Sequence, residues 1–254
     1  THFIGDGLRH GGGSDVVYEG NLVMNPLAVD NDHRDGLQVF AKRGTISGLV
    51  IRGNRFISWT DPDIPFVASF QGIFANRYAE ASYTGWTVEN NEIINSHAHG
   101  ITIHGTEMRI INNTLVKVPG GEYWPGITIT GGVVRNNIAG GIPPSEPPRR
   151  YSDHNLVIDS GDVARVFVDY EGLDLRLKDG SPAIAAGTAE GAPDTDIEGL
   201  SRSTPVDIGC HAYGAAGLVL TTIADKQIEA TQRLEFTVTA TGSAELASNL
   251  FGVQ

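Results

Sequence analysis

Proton transfer near neutral pH falls to histidine among unperturbed side chains, and His97, His99 and His104 are gathered in one short stretch of this 254-residue chain. A second group, His33-Arg34-Asp35, sets an imidazole, a guanidinium and a carboxylate side by side. The histidines can serve as general base or acid, and Arg34 or Arg77 can hold an anionic group through charge-assisted hydrogen bonds. Phe74, Tyr123 and Trp124 offer flat apolar rings, beside the amides of Gln38, Gln71 and Asn76. Together these types suit removal of a proton next to a carboxylate that the guanidinium neutralises. Hydrolysis by two flanking carboxylates is the alternative; Asp35 would be one, with Asp30, Asp32 or Glu122 as its companion.

Residues so far apart in sequence meet only if the fold repeats, and a short pattern centred on asparagine does return along the chain. Gly20-Asn21-Leu22-Val23, Gly53-Asn54-Arg55-Phe56, Asn90-Asn91-Glu92-Ile93, Asn112-Asn113-Thr114-Leu115 and Asn136-Asn137-Ile138 align without gaps, with Asn155 as a sixth anchor. Successive anchors are 33, 37, 22, 24 and 18 residues apart. Spacings near 22 read as bare coils and the longer ones as coils with inserted loops. A glycine-strand pattern interleaves: Gly36-Leu37-Gln38-Val39, Gly72-Ile73-Phe74-Ala75, Gly100-Ile101-Thr102-Ile103 and Gly126-Ile127-Thr128-Ile129. Alternation turns the aliphatic residues of these strands to one face, and stacked asparagines can hydrogen-bond from coil to coil. The expectation is an all-β fold, a right-handed parallel β-helix or solenoid.

Stacking the glycine strands predicts two outward columns, Gln38, Phe74, Thr102 and Thr128, then Phe40, Asn76, His104 and Thr130. At the strand entrances stand His33, Arg34 and Asp35, then Gln71, then His97 and His99, then Tyr123 and Trp124. One face would thus collect the candidate chemistry.

The proline-rich run Ile142–Pro148 reads as a surface loop, with the solenoid continuing past it. The stretch Leu175-Arg176-Leu177-Lys178-Asp179-Gly180-Ser181-Pro182-Ala183-Ile184, followed by Asp194-Thr195-Asp196-Ile197-Glu198-Gly199 and Val206-Asp207-Ile208-Gly209, resembles the closing segment of secreted bacterial parallel β-helix proteins of the pectin-lyase-like superfamily. The resemblance covers roughly residues 14 to 214 and implies an extracytoplasmic or cell-surface setting. It leaves the reaction open among lyases, hydrolases, epimerases, tailspikes and inert adhesins. Residues 218 to 242 resemble the first strands of an immunoglobulin-like or cadherin-like repeat, which needs about 100 residues when whole. The expected division is a β-helix domain over 1–214 and, over 215–254, a linker with a truncated β-sandwich-like segment. Under this resemblance the partner is an acidic polysaccharide, cleaved by lyase-type β-elimination in preference to hydrolysis. The rival is a non-catalytic surface adhesin or stalk.

A formal net charge of −12 with 18 Lys+Arg opposes binding to nucleic acid or anionic membranes. The chain contains no apolar run of spanning length, and no leader peptide is expected within it. Cys210 is the single cysteine, so no intrachain disulfide forms; it is expected to be buried. Two loops, Asp30–Gly36 and Asp194–Gly199, carry oxygen ligands that could hold calcium, with corner capping by the aspartates as the preferred role.

Overall fold

The computed structural model describes residues 3–27, 34–58, 63, 69–75, 78 and 80–214. The immunoglobulin-like segment expected over 215–254 lies outside the described residues, as do His33, Asn76 and Arg77.

Three parallel sheets stack along one axis, and the chain visits them in turn. The first contains Leu8–His10, Asp35–Val39, Gln71–Ala75, His99–Ile103 and Gly126–Ile129. The second contains Val17–Glu19, Val50–Arg52, Thr87–Glu89, Met108–Ile111, Gly132–Arg135 and Arg150–Asp153. Leu22–Met24, Arg55–Ile57, Glu92–Asn95, Thr114–Lys117, Ile138–Ala139 and Leu156–Val157 make the third. This is a right-handed parallel β-helix, the hand that β-strand crossovers adopt. The longer repeats add a rung segment between the first and second sheets, where Arg43–Ser47 and Glu80–Thr84 pair in parallel and send Ile46 and Tyr83 into the core.

The asparagine repeat marks the corner between the second and third sheets. The residue before each anchor has left-handed backbone, φ 65° at Gly20, 62° at Gly53, 52° at Asn90, 53° at Asn112, 56° at Asn136 and 50° at His154. Glycine and asparagine tolerate that conformation best. The anchors form a ladder in which each Nδ2 donates to Oδ1 of the next: Asn21 to Asn54 at 2.8 Å, Asn54 to Asn91 at 2.9 Å, Asn91 to Asn113 at 2.9 Å, then Asn113 to Asn137 and Asn137 to Asn155 at 3.0 Å. Each Oδ1 also accepts the backbone N–H of the preceding anchor.

Inward residues fill the barrel in rows, among them Leu37, Ile73, Ile101 and Ile127 from the first sheet, Ile51, Val88, Ile110 and Val134 from the second, and Phe56, Ile93 and Leu115 from the third. The closing segment covers a side of the solenoid. After a last partial coil it folds back along the outside of the third sheet. Ile94, Val116 and Ile138, outward on that sheet, pack against Val166, Phe167, Leu175, Leu177 and Ile208 in a second core. The reason lies in the third sheet's alternation: among its outward positions Ile94, Val116 and Ile138 are aliphatic, beside the polar Arg55, Glu92 and Thr114, and that apolar part of the outer face must be covered too.

An acid response follows from the last coil. Arg135 grips Asp153 in bidentate fashion, Nε donating to Oδ1 at 2.6 Å and Nη2 to Oδ2 at 2.9 Å. The Arg135 hydrogen bonds outweigh partial burial and hold the Asp153 carboxyl below its ordinary range. A depressed folded pKa contributes stability above the unfolded value, about 4, and that contribution is lost as pH falls through the folded pKa. Asp153→Asn should therefore lower stability at pH 6 by under about 1 kcal/mol, the pair being partly exposed. Urea melts of variant and parent should converge as pH falls through the folded pKa of Asp153; a difference that persists once the carboxyl is protonated in both states would count against the ion pair.

Candidate functional site

The register of the first sheet sets five outward side chains in line, Arg9, Gln38, Phe74, Thr102 and Thr128. Four of them belong to the column expected from sequence. Arg9 was missed because Gly7-Leu8-Arg9-His10 keeps the glycine and the alternation but puts a histidine at the second inward position. His10 is buried there, its Nδ1 2.9 Å from the Tyr18 hydroxyl. Arg9 is exposed and paired with Asp6, Nε to Oδ2 at 2.9 Å.

Beside Phe74 and Thr102 the turn into the strand His99–Ile103 brings two histidines together. The rings of His97 and His99 stack with centroids 5.1 Å apart and 29° between planes. Phe74 lies 5.3 Å from the His99 ring at 56°. The His99 backbone N–H donates to His97 Nδ1 at 3.1 Å, so that nitrogen is unprotonated and a neutral His97 carries its proton on Nε2. His99 Nδ1 is 3.0 Å from Thr102 Oγ1. If the hydroxyl accepts from Nδ1–H, the basic lone pair of His99 sits on Nε2.

His99 reaches this position through an irregularity. Positions 35, 37 and 39 share inward parity, as do 71, 73 and 75, and Asp35 and Gln71 are accordingly buried. His99 has the same parity relative to Ile101 and Ile103, but the register shifts between His99 and Ile101, and the ring is half-buried at the surface. Asp35 and Gln71, expected on the open face, are thus corrected to interior positions. Arg34 is half-buried, its Nε donating to the Leu27 carbonyl at 2.8 Å.

One coil further on, the Glu122 and Tyr123 amides donate to Ser96 Oγ at 2.6 and 3.2 Å, which ties the exposed Tyr123 next to the His97 turn. Trp124 departs from the expectation of a sugar-stacking ring. It packs against the second core, and Lys117 Nζ stands 5.6 Å from its ring centroid; strand alternation does not govern which way a turn residue points. His104 is exposed in the turn after its strand. With Asp35 inside, Asp35 and Glu122 do not frame an accessible carboxylate pair. Asp196 has the corner-capping role, Oδ1 accepting from the Glu198 and Leu200 amides at 2.8 and 2.9 Å and Oδ2 from the Ala212 amide at 3.0 Å.

Two partly open hollows lie away from the histidine pair. A cavity of about 660 Å³ borders Glu19, Arg52, Glu89 and Asp194 where the C-terminal segment meets the second sheet's corner. Burial there raises the Glu89 carboxyl above its ordinary range, against the opposing pull of Arg52 and Arg109. A second cavity of about 310 Å³ borders Arg55, Glu92, Asp174, Arg176, Glu198 and His211. Sequence reasoning did not connect these groups, because Glu92 and His211 are 119 residues apart and no repeat relates them.

No known protein family matches the chain, and no curated protein matches it. Among solved structures, the crystal structure of pectate lyase Pel9A is similar to it with a TM-score of 0.42 and 16% identity, over 83% of this chain and 64% of that one. The chain therefore spans less than two thirds of that structure's length.

Proposed function

We propose that this β-helix binds an acidic polysaccharide along the outward column of its first sheet and cleaves it by β-elimination at the His97–His99 pair. The observation that carries the reading is the juxtaposition of stacked histidines with Phe74 and Thr102 on that column. Five rows at the strand spacing of about 4.8 Å extend roughly 19 Å, enough for several sugar units on an open surface. Phe74 and Tyr123 present ring surface to sugar faces, and Gln38 and Thr128 meet hydroxyls. Arg9, three rows from Thr102, pairs with a uronate carboxylate at a distant subsite.

In the reaction His99 Nε2 takes the proton at C5, next to the uronate carboxylate. The electron pair forms the C4–C5 double bond as the C4–O bond breaks, and the departing oxygen gains a proton from solvent or from the neighbouring imidazole. Thr102 and the His97–His99 stack hold the base in the tautomer and orientation the step requires. A polymer substrate of this kind also places the protein outside the cytoplasm or at the cell surface.

A panel of acidic polysaccharides, followed by ultraviolet absorbance of unsaturated ends and by reducing-end release, tests the reading. Both signals should appear together. His99→Ala should lower turnover by about 100-fold to 10,000-fold with binding retained, and Phe74→Ala should weaken binding by about tenfold. Reducing ends without absorbance would replace elimination by hydrolysis. Binding with silence in both channels would make the protein an adhesin or stalk, and absence of binding would remove the polysaccharide reading.

A further inference from the structure

The C-terminal segment crosses the outer face of the third sheet at right angles to its strands, about one residue per coil. The Gly209 amide donates to the Asn136 carbonyl at 2.8 Å, the Cys210 amide to Thr114 Oγ1 at 2.9 Å, and His211 Nε2 bonds to Glu92 Oε2 at 2.9 Å. Thr114 and Glu92 are ladder partners in adjacent coils. A carboxylate from one coil is thereby set against a thiol and an imidazole from the covering segment.

All three side chains are interior, with exposures of 4% for Glu92, 0% for Cys210 and 3% for His211. Their oxygen, sulfur and nitrogen donor atoms all lie within 4.8 Å of one another. Asp196 and Glu198 form a second group with His211 within the same limit. His211 Nδ1 is buried and makes no hydrogen bond of ordinary geometry, although the Cys210 side chain interacts with the ring, which is a loose environment for a purely structural histidine. Arg55 stands on the outer side of the carboxylates, Nε 3.5 Å from Glu92 Oε1 and Nη2 3.5 Å from Glu198 Oε1.

We propose that Glu92, Cys210 and His211 form a binding site for zinc or a similar borderline-soft divalent cation, with Asp196 or Glu198 as the further donor. The donor set decides the class of ion: thiolate and imidazole favour zinc and cobalt, whereas calcium and magnesium require oxygen ligands throughout. Zinc bonds of about 2.0 to 2.3 Å place tetrahedral ligand atoms roughly 3.3 to 3.8 Å apart. The cluster needs a closure of at most roughly 1.5 Å, within the reach of side-chain rotation. A buried thiolate and carboxylate carry two negative charges, and one divalent cation neutralises both. Binding displaces the thiol proton and the proton that His211 shares with Glu92, so protons are released as the metal enters. The site is separate from the histidine face and does not depend on the polysaccharide reading. Its effect is to fasten the covering segment to the solenoid.

The test uses the whole chain freed of metal by chelator. Cobalt(II) added to it should produce a thiolate-to-cobalt charge-transfer band that saturates at one equivalent and is bleached by zinc. Zinc should release protons at constant pH and raise the unfolding midpoint. Cys210→Ser should abolish the band, and His211→Ala and Glu92→Gln should each weaken zinc binding at least tenfold. A folded wild-type chain with no cobalt band and the same unfolding midpoint in zinc as in chelator would overturn the proposal. So would a Cys210→Ser chain that binds zinc as tightly as the parent. Should that variant fail to fold, the wild-type spectrum and midpoint decide alone.

Discussion

Gly72→Ala should cost more stability than any single exposed substitution in this chain. A Cβ at Gly72 would stand 2.2 Å from the Gly100 carbonyl oxygen and 2.9 Å from Ile93 Cγ2. The obstacle is backbone of the next coil, which cannot rotate away. The same column repeats the constraint, with Gly72 O 2.8 Å from a Cβ at Gly36 and Gly126 O 3.0 Å from one at Gly100. Opening one rung to admit a methyl group would lengthen its ladder hydrogen bonds and leave a void beside Ile93. A loss of about 4 kcal/mol or more is expected, or roughly 10 °C in the unfolding midpoint for a domain of this size. Gly11 is the control, since a Cβ there meets nothing within 4 Å. Thermal melts of the two alanine variants that agree within experimental scatter would mean that the coils are not stacked this closely.

Asn113→Leu is the second large effect. This side chain is fully buried. Its Oδ1 accepts from the Asn91 backbone N–H at 3.0 Å and from Asn91 Nδ2 at 2.9 Å; its Nδ2 donates to Asn137 Oδ1 at 3.0 Å, to the Val88 carbonyl at 2.9 Å and to the Ile111 carbonyl at 3.2 Å. Leucine keeps the approximate volume and removes every one of these bonds, stranding a buried amide N–H. Since each such orphan costs about 1 to 3 kcal/mol, a loss of about 3 to 5 kcal/mol is expected. Asn21→Leu, at the half-buried first rung, should cost less than half as much, as no earlier rung among the described residues donates to Asn21. Urea melts of both variants measure the ratio. Equal losses at the two positions would show that the ladder contributes nothing beyond its local turns.

Both devices were visible in the sequence as repeats at one position per coil, and repetition turns a weak preference into a pattern; that Gly36, Gly72, Gly100 and Gly126 serve close coil approach, with none of them left-handed, was not legible. The left-handed corners followed from Gly20, Gly53, Asn90, Asn112 and Asn136, and the sixth anchor, Asn155, placed His154 at the same corner although histidine favours that backbone less. The outward column was legible from period-two alternation. The same rule, applied one residue earlier in each strand, already places Asp35 and Gln71 inside; reading them as surface groups overlooked that parity. His99 escapes it only through the shift beside Ile101, which no sequence signal announces. The path of the covering segment was illegible for another reason. Val166, Phe167, Leu175 and Leu177 contact the third sheet through spacing that belongs to no repeat, so the resemblance gave a closing segment without its path.

A stack of equivalent coils has no intrinsic length, because each new rung offers the next the same donors and acceptors. The covering segment supplies one. Gly209, Cys210 and His211 step across successive coils and meet Asn136, Thr114 and Glu92 in turn. A chain that gained or lost one coil between Glu92 and Asn136 would bring His211 opposite a different side chain while Gly209 stayed in place. The segment thus acts as a gauge of coil number: a duplication that the ladder alone would accept would part His211 from Glu92 at its far end.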